Sequence, residues 1–194
     1  MRLRFLLLLL FLMPSWSSAQ DDDEMWFFAW RESTGEIFAY DGLEHVNILM
    51  RAERVGWWYA ARIAPDRALA QAISGGNAGF YLLSPNTAQP LLLNFEPSIL
   101  SIPLTEAYSA FRRNENFVVL LPDDYHHDEP ALLVDLAAAR IEILTPNIFS
   151  AYQASFSEDG RTLRYMAQAI SSGVVTERER NLVSGEERIL RIGR

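Results

Sequence analysis

Three stretches of this chain place apolar and polar residues in the same order. They are "WYAARIAPDRALAQAI" from Trp58, "YSAFRRNENFVVLL" from Tyr108 and "YQASFSEDGRTLRYMAQ" from Tyr152. Each opens on an aromatic and a small residue and reaches one apolar anchor: Ile63, Phe111 or Phe156. A polar turn follows (Pro65-Asp66-Arg67, Arg113-Asn114-Glu115, Glu158-Asp159-Gly160), and then an apolar run suited to a buried strand. The anchors stand 48 and 45 residues apart. A second landmark closes each unit: strand, tight turn, strand. It reads "YLLSPNTAQPLLL" to Leu93, "LLVDLAAARIEIL" to Leu144 and "RNLVSGEERIL" to Leu190, with an upstream copy "IFAYDGLEHVNIL" to Leu49. Their ends lie 44, 51 and 46 residues apart.

Two landmarks keeping one period of roughly 45 residues, with four short strands per unit, predict an all-β chain folded as a β-propeller. One four-stranded antiparallel sheet cannot cover both of its faces, so such blades stack and bury their faces on neighbours. Gly160 suits a tight turn because such turns use positive φ. A helix competes locally, since Leu133, Leu136, Ala137, Arg140, Ile141 and Leu144 fall near helical spacing. The equivalent positions of the other units carry Ser-Gly and Pro, which interrupt helices, so strand is expected there.

The residues Phe156-Ser157-Glu158-Asp159-Gly160-Arg161-Thr162-Leu163, followed by Arg180-Asn181-Leu182-Val183-Ser184-Gly185-Glu186-Glu187, resemble the TolB-like, PD-type propeller repeat, a relative of the WD repeat. In that family an apolar-Ser-Pro-Asp-Gly-Lys turn precedes the second strand, and a Thr-Gly or Ser-Gly turn with Glu-Glu closes the blade. Here Glu158 stands in place of the proline. The Ile63 unit keeps Pro65-Asp66 without the glycine, and the Phe111 unit keeps neither. The resemblance spans about Trp26 to Leu190. It implies a propeller fold and a habit of binding, as an interaction platform or as a gating domain attached to a hydrolase. It implies no catalytic residue.

The units run over about 26–49, 57–93, 107–144 and 151–190, so residues 26–194 form about three full blades and one incomplete N-terminal blade with room for three strands. A closed ring typically has about four to eight blades. The chain is therefore expected to be the N-terminal part of a longer propeller, with a four-bladed or oligomer-closed ring and an open array as alternatives. An unclosed ring would expose blade faces and favour self-association.

The first 19 residues add a location. Arg2 and Arg4 precede an apolar run from Phe5 to Met13, Pro14 ends it, and Ser17-Ser18-Ala19 supplies small residues for cleavage. The run is shorter than the ~20 residues a spanning helix needs. Residues 1–19 read as a signal peptide, giving an exported protein, periplasmic or extracellular, with no membrane span after cleavage. Residues 20–25 then form an acidic tail. Loss of the two arginines takes the net charge from −8 to −10, which argues against nucleic acid as a partner. The chain has no cysteine, so neither disulfides nor lipidation at cysteine enters; with 49% hydrophobic residues it can hold together by packing.

The segment most suggestive of a ligand is "PDDYHHDEP", Pro122 to Pro130, where Asp123, Asp124, His126, His127 and Asp128 could contact a cation or other ligand at one mouth of the propeller. Adjacent histidines diverge on an extended chain and no established metal spacing is present, so a solvated loop between prolines is the plainer reading. "ISGGNAGF", Ile73 to Phe80, has the glycines of a phosphate loop but precedes a strand and not a helix, and reads as a hairpin. No Gly-x-Ser-x-Gly elbow occurs, and His45, His126 and His127 complete no nucleophilic triad. Trp26, Trp30, Trp57, Trp58 and Tyr59 fill space between blades or, if exposed, stack on sugars. These features favour a non-catalytic scaffold that binds a protein or peptide, without a cofactor. The alternatives are a gating propeller whose hydrolase or peptidase domain lies beyond residue 194, and a saccharide-binding propeller.

Overall fold

The computed structural model describes residues 25–31, 34–43, 45–51, 57–74, 77–95, 108–122, 129–146 and 149–193. The segments expected to be a signal peptide and an acidic tail lie outside them up to residue 24. All regular elements among the described residues are strands, and no helix there is long and apolar enough to cross a membrane.

The strands form four antiparallel meanders in chain order. The first sheet is β1 (Phe27–Arg31), β2 (Glu36–Tyr40) and β3 (Val46–Arg51). The second is β4 (Trp57–Ala64), β5 (Arg67–Ser74), β6 (Asn77–Ser84) and β7 (Thr87–Pro90). After the short β8 (Leu92–Leu93), the third is β9 (Tyr108–Arg113), β10 (Phe117–Pro122), β11 (Ala131–Asp135) and β12 (Arg140–Thr145). The fourth is β13 (Phe149–Phe156), β14 (Thr162–Ala169), β15 (Val175–Asn181) and β16 (Glu187–Gly193). Successive four-stranded meanders behind one three-stranded sheet make a partial β-propeller. The segment with helical spacing is the β11–β12 hairpin, turned at Ala139 with φ 48°.

One strand departs from the expected units. Leu92–Leu93 does not finish the second sheet; β8 pairs in parallel with β12 as a fifth strand of the third sheet. Pro90 lacks an amide hydrogen and ends the β6–β7 ladder. Leu91 is buried with its N–H on the Phe80 carbonyl at 2.8 Å, and Leu92 donates across to Ala139 at 2.8 Å.

Sequence pattern and position in the stack agree. The third sheet lies between two neighbours, so β10 and β11 are near-continuous apolar runs with alternate residues serving opposite sides. Val118, Leu120, Leu132 and Val134 pack against Ile63, Leu69, Phe80 and Leu82 of the second sheet. Val119, Leu121, Ala131 and Leu133 pack against Leu163, Tyr165 and Ala167 of the fourth. Each such buried aliphatic stabilises by roughly 1.5–3 kcal/mol. The first and second sheets meet through a thinner cluster of Ile37, Ala68, Ala70 and Leu83. Because β3 packs beside β7, the first sheet's strands correspond to the last three of the second sheet. Among the described residues, the position beside β1 that β4, β9 and β13 occupy in their sheets holds no strand.

Candidate functional site

In an antiparallel meander alternate turns emerge at the same end. The β2–β3, β4–β5, β6–β7, β9–β10, β11–β12, β13–β14 and β15–β16 turns therefore gather on one face of the stack, and hydrogen bonds tie sheet to sheet across it. Trp26 N–H donates to the Pro65 carbonyl at 3.0 Å, Asn47 Nδ2 to the Pro85 carbonyl at 2.9 Å, and Asn114 Nδ2 to the Gly160 carbonyl at 3.1 Å.

Short polar side chains hold these turns rigid. Asp41 accepts the amides of Leu43 and His45 at 2.8 and 3.2 Å. Asn114 accepts those of Asn116 and Phe117 at 2.9 and 2.8 Å. Asp135 accepts Ala137 and Ala138 at 3.1 and 2.9 Å, and Asn181 accepts Val183 and Ser184 at 2.9 and 3.0 Å. This is the Asx-turn habit of Asn and Asp. Asp159 does the same for Arg161 and takes the Ser157 hydroxyl at 2.7 Å. That hydroxyl is the main cause holding the Asp159 carboxyl below its ordinary range; for Asp41 it is the Leu43 amide. The repeat recurs in the backbone: Leu136 N–H donates to Asn116 and, one unit on, Leu182 N–H to Arg161, both at 2.8 Å.

Two neighbouring grooves open on this face. The first, about 220 Å³, lies between the second and third sheets, with Asp66, Arg67, Arg113 and Glu115 around Ile63 and Leu136. The second, about 250 Å³, lies between the third and fourth, with Asp135, Arg140, Glu142 and Arg180 around Phe117 and Leu133. In the second, Arg180 donates to Glu142 across the sheet junction, with both side chains mostly buried. The grooves are small, set between neighbouring sheets and lined by charges of both signs beside apolar residues, which suits reading a polypeptide segment better than enclosing a small molecule.

The five residues expected to contact a ligand, Asp123, Asp124, His126, His127 and Asp128, lie outside the described residues. The ends of their loop, Pro122 and Glu129, stand at the end of the third sheet opposite the grooves. The strands that flank the glycines at 75 and 76 pair antiparallel, with Ser74 opposite Asn77. Trp26 is half-buried, and the side chains of Trp30, Trp57, Trp58 and Tyr59 lie outside the described ones. Among the described residues no group of three or more His, Asp or Glu could hold a metal ion. Sequence reasoning did not single out the groove residues. The turn positions were visible as polar breaks in the repeat, but the pairing of Glu142 with Arg180 joins residues 38 apart and has no local signal.

No protein-family model and no curated protein matches the chain. Among solved structures, a protein from Agrobacterium tumefaciens assigned as a TolB aligns at 11% identity and TM-score 0.34, over 87% of this chain and 62% of its own. A puromycin hydrolase variant complexed with PGG aligns at 13% identity and TM-score 0.35, over 87% of this chain and 31% of its own. This chain thus spans less than two thirds of either. At such scores the fold rests on the sheet topology above.

Proposed function

We propose that this chain is an exported, non-catalytic propeller scaffold that binds an extended protein segment across its turn face. The observation that carries the reading is the row of side-chain-capped turns around two adjoining grooves. Loops already ordered lose little entropy when a ligand settles on them, and alternating charges give a peptide register and direction more than raw affinity. The signal-like N-terminal segment is consistent with a role outside the cytoplasm. The gating alternative keeps the same face but requires a hydrolase domain in the same polypeptide or complex.

The test is selection of a randomised peptide library on the immobilised mature chain. Selected peptides should bind Arg113→Glu and Arg140→Glu variants about tenfold more weakly, a loss of ~1.4 kcal/mol, and bind Arg164→Glu, remote from the grooves, unchanged. Peptides indifferent to both groove variants would remove the reading. A peptidase activity that appears only when the chain is joined to a further domain would favour gating.

A further inference from the structure

The two grooves of the turn face differ in which charges they leave open. Around the first, Asp66 and Arg67 stand 4.0 Å apart with both side chains well exposed, and Arg113 and Glu115 are exposed as well. Both signs are accessible there. Around the second, the carboxylates are already engaged. Glu142 accepts a hydrogen bond from Arg180, and one oxygen of Asp135 accepts the amides of Ala137 and Ala138. Arg140 is the exception. Its side chain is 49% exposed, and among the described residues its ion pair is a long one, Nη2 to the other Asp135 oxygen at 3.9 Å. A guanidinium presents its N–H donors in a planar fork that fits a carboxylate with two parallel hydrogen bonds. A contact of that length satisfies little of the fork.

Apolar side chains flank Arg140 without being covered. The parallel pairing of β8 with β12 sets Leu92 beside Arg140. Paired residues of neighbouring strands point to the same face of a sheet, so Leu92 stands next to the guanidinium on the side turned to the fourth sheet, and it is 69% exposed. Leu93, of opposite parity, packs into the cluster shared with the second sheet. From the fourth sheet, Val183 on the β15–β16 turn lines the same groove and is 80% exposed.

We infer, building on the peptide reading of this face, that the second groove is an anion subsite. Arg140 takes a carboxylate of the bound segment, from an acidic side chain or a free C-terminus, while apolar residues next to that carboxylate rest on Leu92 and Val183. A single negative charge fits and a phosphoryl dianion does not. Asp135 and Glu142 share one face of the β11–β12 hairpin with Arg140 and would repel the second charge.

Peptides selected on the mature chain from a randomised library should be enriched in Asp or Glu beside apolar residues, or in apolar residues before a free C-terminus. Each is then resynthesised twice, with its acidic side chains as amides and with its C-terminus as the amide. At least one form should bind the wild-type chain about tenfold more weakly than its parent, and the form that weakens identifies the source of the carboxylate. Against Arg140→Gln that difference should disappear, whereas Arg113→Gln should preserve it. Leu92→Ser and Val183→Ser, both at exposed positions, should each weaken the parent peptide severalfold. Neutral forms that bind the wild-type chain as well as their parents would overturn the inference. So would a carboxylate effect that survives Arg140→Gln, or one that Arg113→Gln removes. In those cases the peptides still bind and the reading of the turn face stands; a library that yields no groove-dependent peptide removes both.

Discussion

The junction between the second and third sheets and that between the third and fourth are built from one repeat but by different chemistry. The former is apolar from side to side, with ten large aliphatic or aromatic residues and Ala139 making up its buried cluster. The latter mixes larger apolar residues with alanines at 131, 151, 154 and 167. It also carries charge: Arg180 meets Glu142 across it, while within the fourth sheet Tyr165 donates to Glu187 at 2.5 Å and Arg178 holds Glu187 at 3.0 Å. Apolar rows supply most of the stabilisation but are non-directional. A cross-junction ion pair adds orientation, and it does so beside a groove whose shape depends on that orientation.

Adjacent residues on β11 offer the sharpest way to separate the junctions. Leu132, fully buried, serves the apolar one and Leu133 the mixed one. Leu132→Ala should lose about 3–4 kcal/mol of unfolding free energy, the transfer term plus the cavity it leaves. Leu133→Ala should lose less, about 2 kcal/mol, because the adjoining groove already deprives that side chain of part of its packing. Urea denaturation of the two variants checks the difference. Equal losses would mean that the groove does not weaken its junction.

The ionic half comes next in size. Exposed ion pairs contribute roughly 0.2–1 kcal/mol and breaking a buried one costs roughly 3–5. Arg180 and Glu142 retain 19% and 13% side-chain exposure, so Glu142→Ala should cost about 2 kcal/mol. A double-mutant cycle with Arg180→Met should recover much of that loss, since the penalty is largely the stranded guanidinium. The cycle should also lower peptide binding at the second groove while leaving the first unaffected. A coupling energy near zero would reduce the clamp to incidental contact.

How much of this was legible follows from how local each signal is. The strand–turn–strand landmarks were readable because period-2 apolar runs and Asn, Asp and Gly at turns act over a few residues. Hence the all-β architecture, the three-stranded first sheet and the β11–β12 hairpin were expected before the coordinates. Alternation in β14 (Leu163, Tyr165 and Ala167 buried; Arg164 and Gln168 exposed) even matches a sheet that packs on one face only among the described residues. The transfer of Leu92–Leu93 to the third sheet was not legible, because Pro90 only says where a ladder stops and not which edge the chain joins next. The grooves were missed for a similar reason: their charges come from three sheets, and reasoning from sequence favoured the local density of "DDYHHD", which lies outside the described residues.

Turn chemistry gives a smaller effect that ties the repeat to the face it builds. Gly160 and Gly185 occupy left-handed turns at φ 67° and 76°. A Cβ at Gly185 meets nothing within 4 Å, whereas one at Gly160 falls 3.1 Å from Asn114 Nδ2. Alanine at either site incurs the roughly 1–2 kcal/mol of left-handed strain. Gly160→Ala should therefore cost about 1.5 kcal/mol, and slightly more than Gly185→Ala, because it also displaces the amide that links the β9–β10 and β13–β14 turns. Melting temperatures of the two variants, and of Gly160→Ala combined with Asn114→Ala, separate strain from collision: the extra cost should vanish in the double variant.

The smallest expected effect concerns the ionic rows at the two ends of the stack. Hydrogen bonds from Arg164, then Arg188, hold the Glu179 carboxyl below its ordinary range; on the first sheet Thr34, helped by Arg51 and Arg31, does the same for Glu36. A carboxyl depressed in the folded state binds fewer protons there than in the unfolded chain. Its contribution is thus complete above the unfolded value and lost as pH falls through the folded one. Urea midpoints followed from about pH 6 to about pH 3, the window in which unfolded glutamates titrate, should fall less steeply in Arg164→Gln and in Glu36→Gln than in the wild type. The two changes should add, because the rows share no partner.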